Sequence, residues 1–80
     1  MKIKQIPNNP FQENTYVVWD EATMEAAIVD CGALFPQEEE RIDVFVNDNQ
    51  LKIKYILNTH LHLDHCFGNA WAAERYGVLP

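Results

Sequence analysis

All three histidines of the chain, His60, His62 and His65, fall within six positions, and Asp64 stands directly before the last of them. Imidazole nitrogen is the commonest protein ligand for a metal ion, and carboxylate oxygen is a good second type. In an extended segment alternate side chains point the same way, so His60, His62 and Asp64 can share one face. A turn at Asp64-His65 would bring His65 round to the same side. Four donors from one short segment are enough to begin two adjacent metal sites. A lone histidine in a polar loop is usually a surface residue, but a cluster this dense favours ligation. A purely structural zinc site would draw mainly on cysteine, and Cys66 alone does not supply that.

The surrounding pattern says how such a loop is held. Ile53 to Leu57, apolar at every position but Lys54, leads into it and reads as a strand covered on both faces in the interior of a sheet. Open α/β sheets bind ligands beyond the carboxyl ends of their strands, and the loop leaves such an end. Gly68 lets the backbone turn tightly. Asn69 is placed to cap a following helix, with Ala70, Trp71, Ala72, Ala73 and Tyr76 as formers or packers and Gly77 as its terminator. The positive end of that helix suits an anionic substrate group.

Upstream, residues 2–6 alternate polar and apolar and read as a half-buried strand, which residues 7–10 end. Residues 15–19 are β-branched and aromatic, a second strand. Residues 20–24 form a hairpin loop, and residues 25–30 return as its partner until Gly32 breaks it. Pro36 opens a helix, with Glu38, Glu39 and Glu40 near its positive end. Ile42, Phe45 and Val46 make its buried stripe, and residues 47–49 end it. Val78 and Leu79 read as the approach to another strand. The order of strands and helices is that of an α/β arrangement.

With 80 residues the chain holds at most one small domain. Apolar residues are 48% and charged residues 22%, a globular balance and not a disordered one. The formal net charge of −6 argues against nucleic acid as a partner, because neutralising phosphates takes lysine and arginine. No apolar run approaches the ~20 residues of a membrane helix. Met1 to Pro10 lacks the apolar stretch of a secretory signal. Cys31 and Cys66 make no disulfide framework, and a cytoplasmic setting is expected.

His60-x-His62-x-Asp64-His65 resembles the signature of the metallo-β-lactamase superfamily. The resemblance extends over most of the chain. Phe11-Gln12-Glu13-Asn14-Thr15-Tyr16, then Val29-Asp30-Cys31-Gly32, then the histidine loop, stand in family order. Asn14-x-Tyr16 is most similar to the glyoxalase II-like hydrolases. The resemblance implies an α/β fold, the N-terminal half of an αβ/βα sandwich, with a mixed β-sheet and helices on one face. It implies that His60 and His62 ligate one metal and that Asp64 and His65 ligate a second. Asp64 would also help to orient the nucleophile. Asp30 would hold the histidine loop in place by hydrogen bonding, though an ordinary strand-end aspartate in a turn is the competing reading.

The implied activity is that of a metal-dependent hydrolase of thioesters, a small-molecule substrate, using a dinuclear metal-activated hydroxide. Zinc is the first choice of metal, two ions in the complete enzyme. Iron or manganese is compatible with mixed histidine and carboxylate ligands. The family pattern adds a later histidine for each metal and a later bridging aspartate. No histidine follows His65 and no aspartate follows Asp64. Residues 1–80 are therefore expected to form a partial metallo-β-lactamase-like domain, inactive alone and prone to self-association through an uncovered apolar sheet face. Two other readings share the signature or the loop. One is a metal-dependent nuclease or non-haem iron dioxygenase of the same superfamily. The other is a small metal-binding module that is not catalytic.

Overall fold

The computed structural model describes residues 1–8, 13–33, 35–59 and 68–78. His60, His62, Asp64, His65 and Cys66 lie outside the described residues, as does Leu79 of the expected strand approach.

Four strands form one sheet in the order β1 (Lys2–Asn8), β2 (Glu13–Trp19), β3 (Glu25–Val29), β4 (Lys52–Leu57). β1 and β2 are antiparallel, with Ile3 opposite Val18 and Ile6 opposite Thr15. β2 and β3 are antiparallel, with Val17 opposite Ile28. Both strands of the first pair run two residues longer than the sequence pattern predicts, because the pairing continues through Pro7 and Asn14 to Asn8 and Glu13. Pro7 is tolerated at this edge, where its nitrogen need not donate to a further strand.

From β3 the chain crosses through α1 (Pro36–Asp48) to β4, which pairs parallel to β3. Such a crossover places the helix on one face of the sheet. Pro36 stands in the first turn, as its sequence position requires. Glu38 is buried, and its carboxylate accepts from the Phe35 N–H at 3.1 Å, so the acidic run begins the helix from within. α2 (Asn69–Tyr76) packs beside β4, and Gly77 ends it in the left-handed region at φ 69°. Its N–H donates back to the Ala73 carbonyl at 2.9 Å, the closure that a Cβ would strain.

One apolar core joins the elements. Ile6, Val17, Ile28, Ile53 and Ile56 of the sheet meet Ile42 and Val46 of α1 and Ala72 of α2. Trp19 meets Phe45 edge-on with ring centroids 5.5 Å apart. The helices are tied to each other by Asp43, whose Oδ2 accepts from Arg75 Nη2 at 3.1 Å and whose Oδ1 forms an ion pair with Arg75 Nε, also at 3.1 Å. The same carboxylate accepts the Tyr76 hydroxyl at 3.0 Å.

Half-burial of Tyr76, followed by its hydrogen bond to Asp43 and the charge on that carboxylate, pushes the phenol well above its ordinary value of 10.0. A raised folded value means that the neutral phenol is what folding favours. The associated stability is complete below pH ~10 and is lost as pH rises from there towards the folded value. Tyr76→Phe is therefore expected to cost about 1 kcal/mol at neutral pH, from the lost hydrogen bond. It should also flatten the alkaline fall in stability, which urea unfolding at a series of pH values would read.

The opposite face of the sheet is open. Ile3, Tyr55 and Leu57 are 68%, 62% and 50% exposed, so this apolar face has no cover among the described residues. β4 corrects the expectation of an interior strand buried on both sides. Among the described residues it lies at the edge of the sheet. Its pairing with β3 slips by one residue between Ala26 and Ala27, which leaves Lys54 without a register partner. That bulge turns both Ile53 and Ile56 to the core and puts Tyr55 and Leu57 on the open face. No helix among the described residues is long and apolar enough to cross a membrane.

Candidate metal centre

The four expected ligands lie between Thr59 and Gly68, the described residues on either side of them, and the same short turn grips both. β3 ends at Val29, earlier than the Gly32 break in the sequence pattern, because Asp30 swings into the left-handed region at φ 55°. Aspartate adopts that conformation more readily than most residues. The Asp30 N–H still donates to the Leu57 carbonyl at 2.8 Å, so the turn begins at the last rung of the parallel pair.

Asp30 is only 5% exposed, and among the described residues its carboxylate is spent on Thr59. Oδ1 accepts the Thr59 N–H at 2.8 Å, and Oδ2 accepts the Thr59 hydroxyl at 2.6 Å. Thr59 immediately precedes His60. Such a two-point grip on backbone and side chain fixes both the position and the twist of the chain as it enters the loop. Bonds to a charged acceptor are about twice as strong as neutral ones.

The exit is held by the next residue of the same turn. The Cys31 carbonyl accepts the Gly68 N–H at 2.8 Å, and the Cys31 side chain is wholly buried. Gly68 stands at the start of α2 with φ −96° and ψ 3°, values open to any residue. It is needed for space and not for its conformation. A Cβ there would lie 2.6 Å from Cys31 Sγ and 3.0 Å from the Ala33 carbonyl oxygen.

Asn69 does not cap α2. It is the first helical residue, and its amide nitrogen donates to Asn58 Oδ1 at 3.1 Å. The bond joins the residue after β4 to the residue that opens α2. The sequence signals capping because asparagine before an alanine-rich run fits that role equally well. Here Gly68 takes the cap position, and the close approach to Cys31 and Ala33 decides it.

Residues 8–80 match the metallo-β-lactamase superfamily. The chain belongs to that superfamily. Its fold agrees: the structure superposes on the crystal structure of BLEG-1 B3 metallo-β-lactamase with a TM-score of 0.80 and 32% identity, over 96% of this chain and 34% of that one. The cytoplasmic hydroxyacylglutathione hydrolase of Arabidopsis thaliana is 40% identical over 70 residues, which are 86% of this chain and 24% of the relative. The hydroxyacylglutathione hydrolase GloC of Haemophilus influenzae is 36% identical over 78 residues, 98% of this chain and 34% of the relative. The metallo-β-lactamase-type chain described here thus spans about a quarter to a third of the length of these relatives.

Within this superfamily fold, Asp30 is the site residue of the sequence reading whose surroundings the structure describes, and it makes the contact expected of it. Thr15 was read from the sequence only as a strand former. Its side of the strand, shared with Val17, faces the core, and a polar residue on a core face was the available signal.

Proposed function

We propose that the protein to which this chain belongs is a metal-dependent hydrolase of thioesters, with His60 and His62 holding one divalent metal and Asp64 and His65 a second. The relatives named hydroxyacylglutathione hydrolase support the substrate class. The observation that carries the reading is the grip of the buried Asp30 carboxylate on Thr59. A buried carboxylate is costly unless well used, and this one is used to fix the residue beside His60.

The donor set fits the group. Three imidazoles and a carboxylate suit zinc first and tolerate iron or manganese. Bound divalent ions would supply polarisation of a carbonyl and a water of lowered pKa. What the chain itself contributes is placement. Asp30 fixes the entrance to the loop, the Cys31 carbonyl fixes its exit, and the Asn58–Asn69 bond joins the residue after β4 to the start of α2. Thr59 and Gly68 are held before any metal arrives, so less ordering of these two residues is left for binding to supply. A thiolate is a good leaving group, so a thioester asks for little acid assistance.

The test is metal content per chain, by elemental analysis of protein purified without chelators. One or two equivalents of zinc or iron are expected, and His60→Ala/His62→Ala should lose them. Equal metal in that variant, or none in the parent chain, would contradict the assignment.

A further inference from the structure

Thr15 is wholly buried on the helix-facing side of β2, where Val17 is its neighbour on the same face. Valine has nearly the same shape as threonine and forms strands as well. A hydroxyl at such a position is unfavourable unless its hydrogen-bonding capacity is used. Here it both donates and accepts. Oγ1 donates to the Asp30 carbonyl at 3.1 Å and accepts the Gly32 N–H at 3.0 Å. One hydroxyl therefore spans the turn from its first residue to its third. Inside that span Asp30 holds φ 55°, from which its carboxylate reaches Thr59. Aspartate enters that region more readily than most residues but still at a cost, which the bonds from Thr15 help to offset.

We propose that Thr15 is a positioning residue for the metal centre: its hydroxyl holds Asp30 in the left-handed conformation and, through Asp30, sets Thr59 and the entrance to the histidine loop. The functional part of this inference rests on the metal-dependent reading above. The structural part rests on the geometry of the turn alone. Thr15 acts through Asp30 and then Thr59.

The experiment compares Thr15→Val, Thr15→Ser and Thr15→Ala with the parent full chain, using two measurements. Amide hydrogen exchange of Thr59 is followed by NMR in metal-free protein, with Val17 and Ile28 as reporters of the intact sheet. Thr15→Val is expected to speed Thr59 exchange at least about tenfold relative to those reporters, as local opening does. Zinc affinity, read by chelator competition, should weaken about tenfold, the lower range for residues that orient ligands. Thr15→Ser should keep both properties close to the parent chain, and Thr15→Ala should lose them. The serine and alanine variants share the missing methyl, so their difference reports the hydroxyl even if Thr15→Val does not fold.

Parent-like exchange in Thr15→Val or Thr15→Ala overturns the proposal, as does a serine variant no better than the alanine one. Faster exchange with unchanged zinc affinity overturns it too, in a chain that binds zinc. If the parent chain binds no zinc but Thr59 exchange responds as expected, the positioning of the loop stands and the metal-dependent reading fails.

Discussion

Replacing Asp30 by alanine lowers the unfolding free energy by about 4 kcal/mol, because two hydrogen bonds to a charged acceptor go at once, at about 1.5 kcal/mol each, and about 1 kcal/mol of backbone strain is added. Both bonds end on Thr59, at 2.8 and 2.6 Å, and the carboxylate that accepts them is 5% exposed. A second cost is conformational. Asp30 sits at φ 55°, and alanine in that region is strained. Asp30→Gly removes the same carboxylate but accepts the conformation, so it should be about 1 kcal/mol less destabilising than alanine. Asp30→Asn keeps an acceptor for the Thr59 N–H and tolerates positive φ, so it should be the mildest of the three. The expected order of damage is alanine, glycine, asparagine, read as urea midpoints with unchanged slopes. Glycine as damaging as alanine would remove the strain argument. Asparagine as damaging as alanine would mean that the negative charge, and not the bonding pattern, holds the turn.

That ranking also shows what was legible in the sequence. The position of Asp30 at the end of a strand was visible, and family resemblance suggested its partner. The left-handed turn was not visible, because Asp30-Cys31-Gly32 places the glycine two residues too late to mark it. The sequence pattern around β4 misled for a related reason. Apolarity at every position from Ile53 to Leu57 except Lys54 suggests burial on both faces, but the bulge at Lys54 splits the run. Ile53 and Ile56 go to the core, and Tyr55 and Leu57 go to a face left open among the described residues. Register slips of this kind depend on the partner strand, and local sequence carries little trace of them. The helix stripe was legible because helical spacing is a local property. Ile42 and Val46 are buried and Phe45 packs against them as the periodicity requires. The expected ligand set rests on residue types and on the family resemblance, and His60, His62, Asp64 and His65 lie outside the described residues. What the structure adds is the pair of anchors on either side of that set.

The exit anchor yields the second large effect. Gly68→Ala should destabilise the chain by about 2 kcal/mol, the middle of the range for overfilling a packed site. The new Cβ would stand 2.6 Å from Cys31 Sγ and 3.0 to 3.1 Å from the Ala33 backbone. The backbone of Ala33 cannot yield cheaply, and the Gly68 N–H bond to the Cys31 carbonyl would have to lengthen from 2.8 Å. The sign of the effect is itself informative. Gly68 has φ −96° and ψ 3°, where alanine is at ease, so without a close approach the change would stabilise by about half a kcal/mol through the unfolded chain. Cys31→Ala removes the nearest of the three atoms and should relieve part of the clash. The double variant is expected to lose about 1 kcal/mol less than the sum of the two single variants, the coupling usual for residues in contact. Strict additivity would place the strain on the Ala33 backbone instead. Stabilisation by Gly68→Ala would show that the loop exit has room, and that Cys31 does not set the distance between β3 and the start of α2.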